Sequence, residues 1–362
     1  MTVGLFNSAD GYGGGEKQYF EWAVYLLKKS YNVHFFLKKN GMLHEKLIDV
    51  EGIHLHFINI SPLSFLNPVK VRRLKKLFIQ CNLQTLMIIL STDLKVAGRS
   101  AALAGVEKII YTRAVPVPIK NTVLNRFIYS QWVTNIIANS HATARSILKK
   151  NPRLISSDKI KLIYNSIDTE EIIHRPFTKI YKKAKEEFII GSAGRLEKEK
   201  NFLFLIKLSL SLKRKGLSHK ILISGTGSLE GELKKQVELN VVEDNILFVG
   251  FQENIKDVLM CCDVFVSPSL YEGFGFAIAE ASLCQLPVIA FNTTSIPELV
   301  VDGETGFITD LNSVEQVAEK IHWLKQNPEL SMQMGARGRN FMVENFDKEK
   351  IMAEFEQFLR DA

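Results

Sequence analysis

The chain reads as α/β, built from two doubly wound units joined by a charged linker. Three observations predict this. Short apolar stretches of strand length alternate with amphipathic helical stretches from one end to the other, the pattern of parallel sheets covered by helices. That series breaks at Asp168–Glu187, which is charged, weakly periodic and holds Arg175-Pro176, and then restarts at Phe188-Ile-Ile-Gly-Ser-Ala193. Glycine-rich loops stand where strands hand over to helices, at Gly11-Tyr-Gly-Gly-Gly-Glu16, Gly194-Arg-Leu and Glu272-Gly-Phe-Gly-Phe276.

In the first series the apolar, β-branched runs predict strands at 3–7, 33–37, 55–60, 85–90, 108–112, 135–138 and 161–163. Helical periodicity fills the gaps at 16–29, 69–80 and 141–150, with Asn139-Ser140 as an N-cap before the last of these. The second series gives strands at 188–193, 220–224, 246–249, 263–267 and 287–291. Three closing helices fall near 312–325, 331–344 and 347–359, with no strand after them.

The length of 362 residues suits about two domains, each able to bury its own core. With 46% hydrophobic and 23% charged residues the chain reads as globular. Its first ten residues lack a basic segment and a long apolar run, so no signal peptide is expected there. No stretch reaches membrane-spanning length. The four cysteines, Cys81, Cys261, Cys262 and Cys284, show no Cys-x-x-Cys spacing, and the adjacent Cys261 and Cys262 in an apolar run suit buried thiols rather than a disulfide or zinc site, as in a reducing cytoplasm. The net charge of +7 admits nucleic acid, anionic lipid or anionic substrates. No nucleic-acid-binding motif accompanies it, and nucleic acid is set aside.

The chemistry is concentrated in Ser267-Pro-Ser-Leu-Tyr-Glu272-Gly-Phe-Gly-Phe-Ala-Ile-Ala-Glu280. Glu272 falls in the loop after a strand, and Glu280 falls one to two turns into the helix that starts near Gly275. A parallel sheet binds ligands at the carboxyl ends of its strands, and a helix N-terminus there favours phosphate. One carboxylate, a helix start and a second carboxylate match the order sugar, diphosphate, ribose. Arg195 and Lys200, in Gly194-Arg-Leu-Glu-Lys-Glu-Lys200, a loop leading into a helix from Asn201, offer a planar fork and a point charge to a diphosphate. Neither Gly11–Glu16 nor Gly225–Glu230 completes a dinucleotide fingerprint, because glutamate holds the third glycine position.

The ordered set Asp263-Val-Phe-Val-Ser-Pro-Ser, Glu272-Gly-Phe-Gly-Phe, Glu280-Ala, Leu286-Pro-Val-Ile-Ala, Ile296-Pro-Glu-Leu-Val and Asp302-Gly-Glu-Thr-Gly306 resembles the donor site of glycosyltransferase family 4. The resemblance implies a GT-B fold, two Rossmann-like doubly wound domains facing a central cleft. It puts an acceptor domain at 1–170 with a returning C-terminal helix at about 346–362, and a donor domain at 186–345. It implies a retaining, metal-independent transferase that moves a sugar from a nucleoside-diphosphate-sugar to a hydroxyl of a cell-surface glycan or glycolipid. By that resemblance Arg195 and Lys200 meet the leaving diphosphate, together with the backbone at Gly275, Phe276 and Ala277. Glu272 holds the sugar, Glu280 the ribose, and Gly14 and Gly15 lie against the phosphates and acceptor. No protein base, metal or bound cofactor is implied.

Two departures from the family pattern stand out. Arg113 occupies the neighbourhood of a histidine common in the family, and Thr294-Ser295 replaces a Gly-Gly turn near the donor sugar. They leave room for a non-catalytic glycan-binding subunit, while a nucleotide-sugar epimerase is an alternative because it shares the fold. Tyr164-Asn-Ser-Ile-Asp168 resembles a family turn with Ser166 in place of glycine, and is read as the hinge. Residues 52–92 contain no acidic side chain, while Lys70, Arg72, Arg73, Lys75 and Lys76 fall on one amphipathic helix. This pattern suits peripheral contact with an anionic membrane, and so a place at the inner face of the cytoplasmic membrane.

Overall fold

The computed structural model describes residues 1–361 and divides into two compact units, one of residues 1–166 plus the segment from Glu349 onward, the other Ile167–Lys348. In the first unit seven strands, β1 (Thr2–Asn7), β2 (Asn32–Leu37), β3 (Ile53–Phe57), β4 (Thr85–Ile88), β5 (Lys108–Arg113), β6 (Asn135–Ala138) and β7 (Ile160–Leu162), form one sheet in the order 3-2-1-4-5-6-7. Every pairing is parallel. The order reverses direction between β1 and β4. One face is covered by the helix Pro68–Gln80 through Val71, Leu74 and Phe78. The other is covered by Gly14–Lys28 and by the returning helix Lys348–Asp361. There Trp22 stacks on Phe355 with ring centroids 4.4 Å apart, and the Tyr25 hydroxyl donates to Glu356.

The second unit holds β8 (Phe188–Ala193), β9 (His219–Ser224), β10 (Ile246–Gly250), β11 (Val264–Ser267), β12 (Val288–Phe291) and β13 (Gly306–Thr309), in the order 10-9-8-11-12-13 and again all parallel. Its order reverses between β8 and β11, so the loops that leave those two strands flank the point where an open sheet accepts ligands.

The α/β class and the two sheets agree with the sequence reading, and four details differ. Edge strand β13 was not expected. It has four residues and begins with Gly306, whose bare Cα is required because a Cβ would sit 2.3 Å from the Val288 carbonyl oxygen. A glycine there reads as a turn when its sheet partner is out of sight. Strand β3 lies two to three residues earlier than expected, because its register is set by pairing Ile53 with Val33. The supposed linker opens with a helix, Thr169–His174, whose N-cap Asp168 accepts from the Glu171 amide at 3.0 Å. Asp168-x-x-Glu171 is a helix-start signal, and Arg175-Pro176 ends the helix. The buried Lys256 ammonium then donates to the carbonyls of Ile173 and Arg175, at 2.7 and 2.9 Å. The segment is thus held within the second unit rather than slack. Lastly, the helix after Lys200 begins at Leu203 rather than Asn201, which takes a left-handed conformation at φ 55°.

Ser140 does cap its helix, accepting from the Thr143 amide at 3.0 Å. Among the described residues no helix is long and apolar enough to cross a membrane.

Candidate donor site

Lys200 and Glu272 come together at the reversal point of the second sheet. The loop after β8 carries Gly194 to Asn201, and the loop after β11 carries Pro268 to Gly275. Lys200 Nζ lies 2.5 Å from Glu272 Oε1, with the two side chains only 18% and 13% exposed. An ion pair this sheltered is an expensive thing to build for stability alone, since each charge has left most of its water. It is held by its surroundings. Ser269 Oγ donates to the same Glu272 oxygen at 2.8 Å, and the Leu270 amide donates to the Glu199 carbonyl at 2.8 Å, tying one loop to the other.

Thr294 and Ser295, where a Gly-Gly turn was expected to present amides, act through their side chains. Thr294 Oγ1 accepts from the Glu272 amide at 2.9 Å, and Ser295 Oγ donates to the carbonyls of Glu272 and Phe274, each at 3.0 Å. Thr294 does so at φ 44°, a left-handed conformation that costs a β-branched residue on the order of 1–2 kcal/mol. Two hydroxyls therefore fix the loop that carries Glu272. Sequence reasoning marked the substitution without its consequence, because hydroxyls at a turn usually bond locally.

Arg195 is mostly exposed and pairs with Glu199 at 2.9 Å across one turn. The loop between them depends on close backbone approach. A Cβ on Gly225 would lie 1.9 Å from the Gly194 carbonyl oxygen, and Gly225 sits at φ 134°. This explains a Gly-x-Gly segment, Gly225–Gly227, that fits no nucleotide fingerprint. Ser228 donates its amide and hydroxyl to Glu197, holding that carboxyl below the usual range.

The helix Phe276–Leu283 starts from Gly275 at φ 117°, where a side chain would meet Leu299 at 2.8 Å. Ile278 and Ala279 both return their amides to the Gly275 carbonyl. The backbone of Gly275, Phe276 and Ala277 thus forms the open first turn, the positive end of the helix dipole. Glu280 follows one turn further along and is half-buried.

In the first unit, Gly14 and Gly15 open the helix after β1. A Cβ on Gly15 would lie 2.7 Å from Ile89 Cδ1. Glu16 turns back so that its carboxylate accepts from the Gly13 amide at 3.0 Å and from Asn7 Nδ2 at 3.1 Å. The residue that breaks the dinucleotide fingerprint thus braces the turn. Arg113 ends β5. Its guanidinium donates to the Val117 carbonyl and, at 3.5 Å, to the Tyr111 hydroxyl, while the buried Nε has no partner among the described residues. Ser166 and Gln18 are joined twice, Ser166 N donating to Gln18 Oε1 at 2.9 Å and Gln18 Nε2 to Ser166 Oγ at 3.4 Å.

A parallel sheet with a cation–carboxylate couple and a helix start at its reversal point is the arrangement of a doubly wound, Rossmann-like unit. Residues 175–341 match the model described as "Glycosyl transferases group 1", and residues 12–171 match "Glycosyltransferase Family 4". The chain belongs to this glycosyltransferase family. It is 27% identical over 224 residues to an N-acetyl-alpha-D-glucosaminyl L-malate synthase of Bacillus anthracis, a stretch covering 61% of this chain and 58% of that one. It is 24% identical, over 99% of both chains, to an N-acetylgalactosamine-N,N'-diacetylbacillosaminyl-diphospho-undecaprenol 4-alpha-N-acetylgalactosaminyltransferase of Campylobacter jejuni. Among solved structures, Anabaena Alr3699/HepE in complex with UDP is similar over 100% of both chains, with a TM-score of 0.84 and 19% identity. That likeness shows the fold, which is GT-B.

Proposed function

We propose that this protein is a retaining glycosyltransferase, moving a sugar from a nucleoside diphosphate to a hydroxyl of a cell-surface glycan or a diphospholipid-linked glycan. The observation that carries this reading is the sheltered Lys200–Glu272 pair at the sheet reversal, beside the helix start at Gly275. The named activity of the Campylobacter relative, which the chain matches almost end to end, supports an acceptor of the diphospholipid kind.

In the proposed reaction the bond from the anomeric carbon to the diphosphate oxygen breaks, and charge accumulates on that oxygen. Lys200 exchanges part of its contact with Glu272 for the diphosphate, Arg195 swings from Glu199, and the first-turn backbone at Gly275–Ala277 adds a fixed dipole. Stabilisation by groups already in place is the largest lever available here. Glu272, released in part from Lys200 but still held by Ser269, takes hydroxyls of the transferred sugar. Glu280 takes the ribose hydroxyls. The acceptor oxygen bonds to the anomeric carbon from the face the diphosphate leaves, and its proton passes to a phosphate oxygen. Gly14 and Gly15 are assigned to the phosphates and acceptor, and the Nε–H of Arg113 to the acceptor or sugar. The protein works without a metal at the diphosphate, from the cytoplasmic face of an anionic membrane.

The test is incubation with a panel of nucleoside-diphosphate-sugars, following released nucleoside diphosphate. One donor should be turned over, and turnover should persist in excess EDTA. Loss in EDTA that Mg²⁺ or Mn²⁺ restores would overturn the metal-free diphosphate site. Epimerised donor without diphosphate release, or no turnover with any donor, would overturn transfer itself.

A further inference from the structure

We propose that His34, His56 and Cys81 form a binding site for a zinc-class metal ion on the first unit. Cys81 directly follows the helix Pro68–Gln80. The β2–β3 register pairs His34 with His54 and Phe36 with His56, so strand alternation sets all four rings on one face. Phe78 of that helix packs on this face against Phe36, centroids 5.1 Å apart, which brings the end of the helix over the histidines. His34 Nδ1 lies 2.9 Å from His56 Nε2, and Cys81 Sγ lies 3.6 Å from the same nitrogen. All three ligand atoms fall within 4.8 Å of one another.

A tetrahedral zinc ion, with bonds of roughly 2.0–2.1 Å to nitrogen and 2.3 Å to sulfur, holds ligand nitrogens about 3.3 Å apart and nitrogen and sulfur about 3.6 Å apart. The sulfur is therefore at ligand spacing from His56 Nε2, and the two nitrogens need to part by about 0.4 Å. The rings are set for this. His34 stacks between His54 and His56, at 4.7 and 5.1 Å, and His56 stacks on Phe36 at 4.7 Å. This stacking restricts ring rotation, so little side-chain freedom remains to be lost on binding.

His34 Nδ1 faces His56 Nε2 within hydrogen-bond distance, and its other ring nitrogen, Nε2, is buried with no partner among the described residues. A metal ion would replace that hydrogen bond with a bond to each ring and would add the Cys81 thiolate. Two imidazoles and a thiol select zinc over magnesium or calcium, which need carboxylates, and residues 52–92 supply none. The ion would clamp edge strand β3 to the helix, and solvent would fill the fourth position through the half-exposed His56 and Cys81.

The experiment uses tag-free, full-length protein stripped of metal by dialysis against a chelator. Titration with Co²⁺ should give one equivalent bound with a thiolate-to-cobalt charge-transfer band, and Zn²⁺ should displace it. Cys81→Ser should abolish the band, and Cys81→Ser and His56→Asn should each weaken Zn²⁺ tenfold or more in competition with a chromophoric chelator. Zn²⁺ should raise the thermal midpoint of the parent but not of these variants. Far-ultraviolet circular dichroism checks that each variant is folded, and Cys261→Ser, in the second unit, should keep the band. Cobalt binding without a thiolate band, a band that survives Cys81→Ser, or no stoichiometric uptake would overturn the site.

Discussion

Lys200 and Glu272 lie far apart in sequence and within one hydrogen bond in space. Both were legible from the sequence as charges in strand-end loops, but their pairing was not, since it depends on which two strands are neighbours. The braces were less legible still. Ser269 and Thr294 look like ordinary turn residues until the loop they hold is folded against them. This arrangement sharpens how the two carboxylates should differ. Glu280→Ala should weaken the donor and free nucleoside diphosphate alike, because both carry ribose. Glu272→Ala frees Lys200 from its carboxylate, so affinity for nucleoside diphosphate should hold or rise, while turnover falls by roughly 10²-fold as the reacting sugar loses its anchor. Calorimetry with nucleoside diphosphate and initial rates on both variants check this, and matching profiles would refute the placement of sugar and ribose.

Among elements, the closing helix Lys348–Asp361 shows how an amphipathic face determines where an element packs. A run of apolar residues at helical spacing, Ile351, Met352, Phe355, Phe358 and Leu359, needs a surface to cover. It finds one on the first unit, where all five are buried with Trp22 and Tyr19. Lys108 Nζ donates to the Leu359 carbonyl at 2.8 Å, tying the helix to β5. Strand β13 and the helix Thr169–His174 were hidden for the opposite reason. Each is short, and its existence rests on partners or a cap rather than on its own periodicity. Phe355 is fully buried and stacked, so Phe355→Ala should cost about 3–5 kcal/mol, and Phe355→Leu markedly less. Urea unfolding followed by tryptophan fluorescence, with Trp22 as reporter, would show the midpoint fall; a midpoint near that of the parent would mean the helix is only loosely docked.

At the scale of the molecule, the sequence predicted two doubly wound units and a basic character, and the fold decides where that charge lies. The helix Pro68–Gln80 turns Val71, Leu74 and Phe78 inward and leaves Arg72, Arg73 and Lys76 exposed, with Lys75 half-exposed. Lys70 is different, since its ammonium donates to the Asn59 carbonyl at 3.0 Å and to Ser64 Oγ at 3.1 Å, bracing the segment before the helix. That segment exposes Leu63 and Leu66, and the first turn of the helix exposes Val69, each more than 60% accessible. Apolar side chains beside a basic face suit insertion among anionic headgroups. Changing Arg72, Arg73, Lys75 and Lys76 together to Gln, with Lys70 kept for structure, should cut sedimentation with phosphatidylglycerol vesicles at least tenfold. Each charge is worth roughly 1 kcal/mol at such a surface. Added salt should weaken the parent far more than the variant, because screening acts on the charges and not on the leucines. Hydrolysis of the donor without acceptor should be unchanged. Vesicle binding that persists in the variant would make the basic face a solvated one and leave the acceptor to be met in solution.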